Sequence, residues 1–507
     1  METRRGRRRR ERAGGIAQLP WQQVRNPYPP LALLDAEQME ELHATSMRIL
    51  SELGIRVMGE DVLGHFERAG ALVDRESRIV RIGEEFVAEA LRTAPRSFTL
   101  TSRNPERQLV LGGDGLVFSL VAGPPNVHDR IGGRRAGNHA DYCRFIRLAH
   151  HFNAIHIIGN QVTPPMDLPA NSRHLDAYRA NLTLSERCYH CTAIGRGRAM
   201  DGIAMMAISR GITLDEMRAE PGVITIISVN SPRLLDEAMG EGLIAMAECG
   251  QPVTITPFTL MGAMSPVTLA AALAQQNAEA LFGIVLAQLV NPGAPVMYGA
   301  FTSNVDMRSG APAFGTPENA KANIIAGQLA RRYGLPYRTS NANAANAVDL
   351  QAAYETGMST FGAVLGGGNM IYHAAGWLEG GLTASFEKLI LDVEILQNII
   401  EFLRPVPWGA DELGFEAIRD VDAGGHFFGS PHTMARYETA FYAPMLADWR
   451  NYGAWAAAGS KEAVERATEL WQQALADYEE PALDPGIREA LDAYVARRRE
   501  EIGEGEP

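Results

Sequence analysis

Residues 296–341 read VMYGAFTSNVDMRSGAPAFGTPENAKANIIAGQLARRYGLPYRTSN, and this stretch contains the unit from which we predict the fold. A β-rich run at 296–301 precedes a helical stretch that Thr316 caps and Pro317 begins. Gly334 ends the helix, Pro336 follows, and a second β-rich run covers 337–341. Strand, loop, capped helix and glycine stop in this order indicate a βαβ unit of a parallel sheet.

The same order recurs on both sides of this unit. Six further β-rich runs lie at 116–121, 155–159, 190–194, 223–229, 253–256 and 370–373, which makes eight in all. Successive runs start about 30 to 43 residues apart, as βαβ units do. Eight units predict a closed α/β fold, a (β/α)8 TIM barrel, rather than an open doubly wound sheet. No G-x-G-x-x-G follows the first run, which disfavours nucleotide binding.

Four segments are predicted along the chain. Residues 1–30 form an Arg-rich leader that we expect to be disordered, and residues 31–113 form an N-terminal α+β cap that resembles a lid or plug. The barrel covers 114–400, and 401–507 form a helical C-terminal extension. Its tryptophans, Trp408, Trp449, Trp455 and Trp471, indicate packing on the barrel or on a second subunit, so a homo-oligomer is expected.

Charge and composition limit the function classes. Acidic residues outnumber basic ones by 60 to 47, so the acidic body should repel nucleic-acid phosphates despite the basic leader. No apolar signal segment follows the arginines, and no apolar run has the ~18 residues of a membrane span. With only four cysteines, the protein is expected to be cytoplasmic and not to bind a membrane.

The side chains that leave the predicted strands are the candidate site, because barrel enzymes place their chemistry at the carboxyl ends. Many are amides, which bind polar groups without adding charge. Rings at the same level could face a bound cation. His373 lies at one strand end, where it could orient a ligand. Arg308 and Arg196 leave strand ends and could bind a carboxylate, whereas Arg338, inside the seventh run, is expected to face the helices.

Four segments resemble the trimethylamine methyltransferase family, whose members transfer a methyl group to a corrinoid protein. They are SNVDMRSGAP at 303–312, GTPE at 315–318, GQLARRYGLP at 327–336 and IYHAAGWLEGG at 371–381. The family fold is similar to the predicted barrel. Its trimethylamine-specific members carry pyrrolysine, which this chain lacks, so the chain resembles the glycine betaine methyltransferases among the family's other members.

The resemblance implies a methyltransferase that moves a methyl group from a quaternary amine, such as glycine betaine, to cob(I)alamin. A quaternary nitrogen leaves as a neutral amine, so no general acid is required. The cobalamin would be carried by a separate corrinoid protein, because the chain has no D-x-H-x-x-G segment. Tetrahydrofolate remains an alternative acceptor. No bound metal is expected.

The candidate residues follow from these arguments. The catalytic candidates are His373, Asn304 and Asn343. The substrate-binding candidates are Tyr298, Phe301, Tyr372, Trp377, Gln161, Asn341, Asn346, Arg308 and Glu379. Two alternatives stay open: a zinc-dependent lyase or thiol methyltransferase that uses the C-x-x-C pair Cys188 and Cys191 with a histidine, and a catalytically silent betaine-binding protein.

Overall fold

A closed barrel of eight parallel strands forms the centre of the molecule. The computed structural model describes residues 12, 13 and 15–503. The barrel strands are β1 (Gly115–Leu120), β2 (Ile157–Ile158), β3 (Cys188–His190), β4 (Val223–Ile227), β5 (Val253–Ile255), β6 (Val296–Gly299), β7 (Tyr337–Ser340) and β8 (Met370–Ala375). Each strand pairs with the next, and β1 pairs with both β2 and β8. The predicted TIM barrel is confirmed.

A helix follows each strand and packs on the outside of the barrel. These helices are α1 (His139–His151), α2 (Arg173–Leu184), α3 (Arg196–Arg210), α4 (Glu237–Glu248), α5 (Leu269–Val290), α6 (Pro317–Tyr333), α7 (Leu350–Leu365) and α8 (Phe386–Phe402). The Thr316 hydroxyl accepts from the Asn319 N–H to cap α6, and Gly334 ends it in the left-handed region. The punctuation in the sequence therefore sets these helix ends as predicted.

Helix α5 is long and apolar enough to cross a membrane, by length and composition alone. However, 83% of its most apolar window is buried within the described part of the protein. Its Phe282 ring stacks on Phe66 with 4.6 Å between ring centroids. Helix α5 therefore packs as a core helix between the barrel and the cap.

The cap packs mainly on the flank of the barrel, and its strand Ile55–Val57 pairs with Leu234–Leu235 in the loop after β4. Its helices Ala36–Arg48, Glu60–Arg68 and Glu84–Thr93, a π-helical turn Ile49–Leu53, and its strands Ile55–Val57, Leu72–Asp74 and Ile79–Arg81 pack on the flank, against α4 and α5. A hairpin of Phe98–Leu100 and Leu109–Leu111 follows. Its side chains enter the amino end of the barrel and fill it. The hairpin is thus a plug at the amino end of the barrel.

The structure differs from the expected disorder of residues 1–30 over the part that it describes. Strand Val24–Arg25 pairs antiparallel with β1. The Gln18 side chain donates to the His151 carbonyl at the end of α1 and accepts from the Asn153 N–H. The Leu19 N–H donates to Gln397 Oε1 on α8 at 2.8 Å. Residues 15–25 therefore join the first and last barrel helices, because their apolar and amide side chains find partners there; residues 1–11 lie outside the described part.

The described part of the C-terminal extension contains six helices, of which the last two are the longest. Its helices are Ala410–Leu413, Phe415–Arg419, Pro431–Met434, Tyr452–Ala457, Ala463–Ala476 and Pro485–Ile502. The last two pack on the barrel helices, where Trp471 stacks on Phe386 at 5.1 Å. Residues 403–457 instead leave large apolar side chains exposed, including Trp408, Phe428 and Phe441.

Short elements extend the carboxyl end of the barrel and carry part of the site. They are the strands Asn126–Asp129, Gly133–Ala136, Leu234–Leu235, Phe258–Met261, Phe301–Val305, Pro312–Ala313, Trp377–Leu378 and Thr383–Ser385, and the 3-10 turn Glu379–Gly381. The short helix Leu214–Ala219 lies instead between α3 and β4, at the amino end of the barrel. Another 3-10 turn, Pro105–Arg107, lies within the plug hairpin. Phe258–Met261 and Phe301–Val305 run parallel and continue the line of β5 and β6.

Candidate active site at the carboxyl end of the barrel

The inward side chains of the barrel form an apolar lower set and a polar upper set. The lower set is Val117, Ile157, Cys188, Ile224, Met297 and Met370, which belong to one cluster with the plug hairpin. The upper set is Ser119, His190, Thr254, Arg338, Ser340 and Tyr372, which the strand registers place on the same inner face. Side chains alternate along a strand, so two residues separate the sets.

Several buried polar atoms near the upper set have no hydrogen-bond partner among the described residues. They are both ring nitrogens of His190, Oγ1 of Thr254 and Thr256, Nε of Arg338, Oγ of Ser340, and Oδ1 of Asn341 and Asn343. Buried polar groups are normally paired with protein, water or ligand. Their concentration at one end of one barrel indicates a polar ligand site.

An aromatic cluster lies at the same end. Phe301 stacks on Phe314, with ring centroids 5.2 Å apart, and meets Trp377 edge-on at 5.9 Å. The His373 ring lies 4.2 Å from Trp377 and 5.7 Å from Phe301. The Trp377 ring packs on Gly381, where a Cβ atom would lie 2.5 Å from it. The predicted residues Phe301, His373 and Trp377 are thus brought together, and such rings attract a cation.

His373 has an unusual backbone and a neutral ring. Its φ of 56° is left-handed, and the register of β8 shifts at this point. Such strain in a non-glycine residue is characteristic of functional sites. Its Nδ1 accepts from the Ala122 N–H at 3.3 Å, which leaves the proton on Nε2. Burial, then Arg338 and His190, hold the His373 pKa well below its usual value.

Arg338 faces the barrel interior, which corrects the expectation that it faces the helix layer. The outward residues of β7 are Tyr337 and Thr339, so Arg338 between them must point inward. Its Cζ lies 4.7 Å from the Tyr372 ring centroid and 5.6 Å from that of Phe301. Its Nη1 donates to the Ala300 carbonyl at 3.2 Å. No ion pair to a carboxylate is found for Arg338 among the described residues.

Asn341, Asn343 and Tyr372 support this arrangement. Asn343 Nδ2 donates to the Trp377 carbonyl at 2.7 Å, and Trp377 Nε1 donates back to the Asn343 carbonyl at 3.1 Å. Asn341 Nδ2 donates to the Ala374 carbonyl. The Tyr372 hydroxyl accepts from the Asn160 N–H at 2.7 Å. These bonds tie the ends of β2, β7 and β8 to one another.

The amino-acid sequence matches the family model described as trimethylamine methyltransferase (MTTB) over residues 1–503. The chain belongs to the trimethylamine methyltransferase family. The predicted family and the predicted enzyme class, a methyltransferase, are confirmed at this level.

Two relatives agree with this assignment, and a solved structure agrees with the fold. This family member is 38% identical over 477 residues to a glycine betaine methyltransferase of Desulfitobacterium hafniense, covering 94% of this chain and 99% of the relative. It is 28% identical to a trimethylamine methyltransferase of the same species, covering 93% and 95%. The crystal structure of the Methanosarcina barkeri monomethylamine methyltransferase matches with a TM-score of 0.54 at 11% identity, covering 89% and 90%. That likeness concerns the fold.

Several candidates in this methyltransferase lie away from the aromatic cluster. Tyr298 faces outward and its hydroxyl donates to Asn277 Oδ1 on α5 at 2.9 Å. Asn304 Oδ1 accepts from the Thr316 hydroxyl, and Glu379 forms a two-bond ion pair with Arg134. The remaining candidates are the half-buried Gln161 and the exposed loop residues Asn346 and Arg308. Arg196, also exposed, pairs with Glu248 at 2.6 Å.

Sequence reasoning placed Tyr298 and Phe301 on the same side, which three-residue spacing does not allow while the strand continues. It also missed His190, an inward residue whose ring lies 4.7 Å from Tyr372. Side chains alternate between the two faces of a strand, so Arg338 must lie on the same face as Ser340, two residues later. Because Ser340 is the neighbour of the inward Tyr372, this alternation could have placed Arg338 inside the barrel. For His190 the sequence carried no such signal, because the third run was predicted to start there rather than to end.

The two cysteines of the C-x-x-C segment point to opposite sides of β3. Cys188 lies inside the barrel near the Leu100 carbonyl, whereas Cys191 packs against Met246 in the outer layer. Burial raises the pKa of each thiol to about 12. Within residues 15–503 no three metal-binding side chains converge, so the zinc alternative gains no support from this geometry.

Proposed function

We propose that this chain transfers a methyl group from a quaternary ammonium compound, glycine betaine or a close analogue, to cob(I)alamin of a separate corrinoid protein. The observation that carries the proposal is the cluster of Phe301, His373 and Trp377 rings at the carboxyl end of the barrel. The similarity to a glycine betaine methyltransferase over nearly the whole chain supports the same substrate class.

The cluster suits a cation that needs no proton. The trimethylammonium group would lie against the remaining exposed surface of the three rings, where desolvation strengthens its attraction to their π-faces. Burial lowers the pKa of the His373 ring, and the Arg338 guanidinium lowers it further, so that this ring stays neutral. Burial also holds the pKa of His190 well below its usual value, so no imidazolium is available as a proton donor.

The chemistry balances without a proton. The cobalt(I) of the corrinoid substrate forms a bond to one methyl carbon as the carbon–nitrogen bond breaks. The bonding pair stays on nitrogen, which leaves as the neutral tertiary amine of dimethylglycine. What the chain must supply is orientation and exclusion of water. His373, held by the Ala122 N–H, and Trp377, held by Asn343, would fix the ammonium group.

The rim of the barrel offers a surface for the corrinoid protein. Six of the loops that leave barrel strands expose one large apolar side chain each, namely Ile131, Met166, Ile194, Val267, Met307 and Leu382, and Leu350 is exposed at the first residue of α7. These side chains lie in strand-to-helix connections or at the start of the helix that follows, and they therefore surround the carboxyl end. A protein that docks over the active site would cover these apolar side chains together. We place the methyl acceptor there.

We also propose a homo-oligomer and a cytoplasmic location. The exposed apolar side chains of 403–457 continue onto α7, where Phe361 meets the ring of Phe402 at 5.9 Å. A second copy of the chain would cover this face, and light scattering of the purified protein tests it. The four free cysteines support a reducing compartment.

The decisive experiment mixes the purified full chain with chemically reduced cob(I)alamin and one methyl donor at a time. Methylcobalamin is followed by absorbance and dimethylglycine by NMR. Glycine betaine should give both products in equal amounts, whereas trimethylamine and dimethylglycine should give none. Equal rates with trimethylamine, or no transfer from any quaternary amine, would contradict the proposal. Betaine binding without transfer would instead favour the silent binding protein, and methyl on added tetrahydrofolate the alternative acceptor.

A further inference from the structure

We infer that Arg338 binds the carboxylate of the substrate and so makes the enzyme specific for zwitterionic betaines over simple ammonium cations. This inference rests on the proposed function and names the second half of the substrate site. The guanidinium lies inside the barrel with 2% of the residue exposed. It is the one arginine of the upper inward set.

The guanidinium is held in place without being neutralised. It packs over the Tyr372 ring and lies near Phe301, and its Nη1 donates one hydrogen bond to the Ala300 carbonyl. Its Nε finds no acceptor among the described residues, although the atom is fully buried. Burying an unpaired charge is costly, and proteins retain one where a ligand completes it. Other arginines near the carboxyl end, such as Arg134 and Arg135, already have carboxylate partners.

The charge remains at neutral pH. Burial lowers the Arg338 pKa only to about 10, so the guanidinium is cationic under working conditions. The neighbouring imidazoles of His190 and His373 are kept neutral by burial and by the same charge. The aromatic cluster therefore lies next to a positive charge that has no carboxylate partner among residues 15–503.

That charge decides which ammonium compounds fit. A monocation such as choline or tetramethylammonium meets the repulsion of Arg338 as well as the attraction of the rings. A betaine brings its own carboxylate, which pairs with Arg338 and removes the repulsion. Specificity of this kind uses a repulsive element against the wrong ligand as well as contacts to the right one.

The geometry further favours a short spacer between the two charges. The Phe301 ring touches both halves of the site: it lies 5.6 Å from the Arg338 Cζ and 5.9 Å from the Trp377 ring. The carboxylate bound to Arg338 and the ammonium group bound to the ring cluster would therefore be separated by about the width of the Phe301 ring. Glycine betaine, with a single carbon between its charges, fits this spacing better than 4-trimethylammoniobutanoate.

The test compares dissociation constants of the full-length Arg338→Gln and Arg338→Lys variants with those of the wild type by calorimetry. The ligands are glycine betaine, choline and 4-trimethylammoniobutanoate. Loss of a charge-assisted pair should weaken glycine betaine binding on the order of 30- to 100-fold in Arg338→Gln. Choline binding should stay unchanged or improve. Arg338→Lys should keep part of the betaine affinity, because it retains the charge but not the planar fork.

The matched control is Arg331→Gln, since Arg331 also donates to a backbone carbonyl, that of Gly366, but on the outside of the barrel. It should leave the betaine dissociation constant unchanged, and thermal melts verify that every variant is folded. Equal weakening of betaine and choline in Arg338→Gln, or no weakening of either, would overturn the inference. So would loss of betaine binding in Arg308→Gln with none in Arg338→Gln.

Failure of the inference is distinguishable from failure of the proposed function. If the wild type methylates cob(I)alamin from glycine betaine while Arg338→Gln retains its betaine preference, the carboxylate site is elsewhere and the function stands. If the wild type transfers methyl groups from no quaternary amine, the function itself is wrong.

Discussion

The two ends of the barrel interior are built from the same eight strands but differ in chemistry. At the amino end, Phe98, Leu100, Leu109 and Leu111 of the plug hairpin fill the space beneath the lower inward set. At the carboxyl end the side chains of the upper inward set are polar, and many of their atoms have no hydrogen-bond partner among the described residues. One end is complete without a ligand, and the other is not.

The difference teaches how the barrel divides stability from binding. Apolar burial at the plugged end contributes to folding whether or not a substrate is present. The unpaired groups at the open end cost free energy until a ligand or water satisfies them. Substitutions at the two ends should therefore separate cleanly into effects on stability and effects on substrate affinity.

The largest expected effect is at the plugged end. Leu109 is completely buried, so Leu109→Ala should lower the free energy of unfolding by about 2–5 kcal/mol through lost contacts and a new cavity. Urea unfolding measures this change. The dissociation constant of glycine betaine should not change, because the substituted side chain lies a full layer below the site.

The matched variant at the open end is Thr254→Val. Its hydroxyl is buried and has no hydrogen-bond partner within the part of the chain that the structure describes, so removing it should leave the unfolding free energy within about 1 kcal/mol of the wild type. If Thr254→Val proved as destabilising as Leu109→Ala, the two ends would not differ as described.

The next effect concerns a buried carboxyl beside the loop after β4. Glu279 on α5 accepts from the Ser231 hydroxyl at 2.5 Å and the Arg233 N–H at 2.8 Å. Burial raises its pKa from 4.5 to about 7. The folded state thus prefers the protonated form, and that stabilisation is complete below pH 4.5 and lost as pH rises through 7.

The loss should approach about 3 kcal/mol between these limits. Unfolding measured at a series of pH values in Glu279→Gln should lack this decline, because the amide cannot ionise. A Gln variant whose stability falls with pH as steeply as the wild type would show that Glu279 is not the titrating group.

A smaller effect is expected from the aromatic cluster. Trp377→Leu removes a π-face but keeps an apolar side chain, so the betaine KM should rise about 30-fold, equivalent to about 2 kcal/mol of cation–π attraction. Steady-state kinetics with saturating acceptor measures it. The control is Trp471→Leu, which removes a tryptophan stacked on the outside of α8 and should not alter this KM.

The smallest effect is expected at the rim. Met307→Asp places a charge on the exposed surface that we assign to the corrinoid protein, and KM for that protein should rise severalfold, by roughly 1 kcal/mol. Leu72→Asp, equally exposed but on the flank of the cap, is the control. If the KM for glycine betaine rose and the KM for the corrinoid protein did not, Met307 would belong to the substrate site and not to the docking surface.

Most of the fold was predictable because its signals are local. All eight predicted runs overlap a barrel strand, and the Thr316 cap and Gly334 stop lie where the sequence indicated. The third run was displaced, since the Thr192 N–H turns to the Tyr178 hydroxyl and ends the strand early. The order of residues 15–25 was missed because their partners, such as Gln397, are distant in the sequence.

The site was less predictable because a strand changes face with every residue. Phe301, Tyr372, His373 and Trp377 were placed correctly at the carboxyl end. Arg338 was assigned to the wrong face, since a charged residue inside a strand is more often solvated than buried without a partner. Only the register with its neighbours settles that choice.

The contacts of Gln18 and Leu19 have a consequence for how the ring of strands is completed. A closed barrel brings its first and last strand–helix units side by side. Here residues 15–25, which precede the first barrel strand, contact both units. The Leu19 N–H donates to Gln397, which lies 378 positions later in the sequence. During synthesis the junction is therefore secured only after nearly the whole barrel has left the ribosome, and trimming the first 25 residues should leave the barrel intact elsewhere but loose at this one joint.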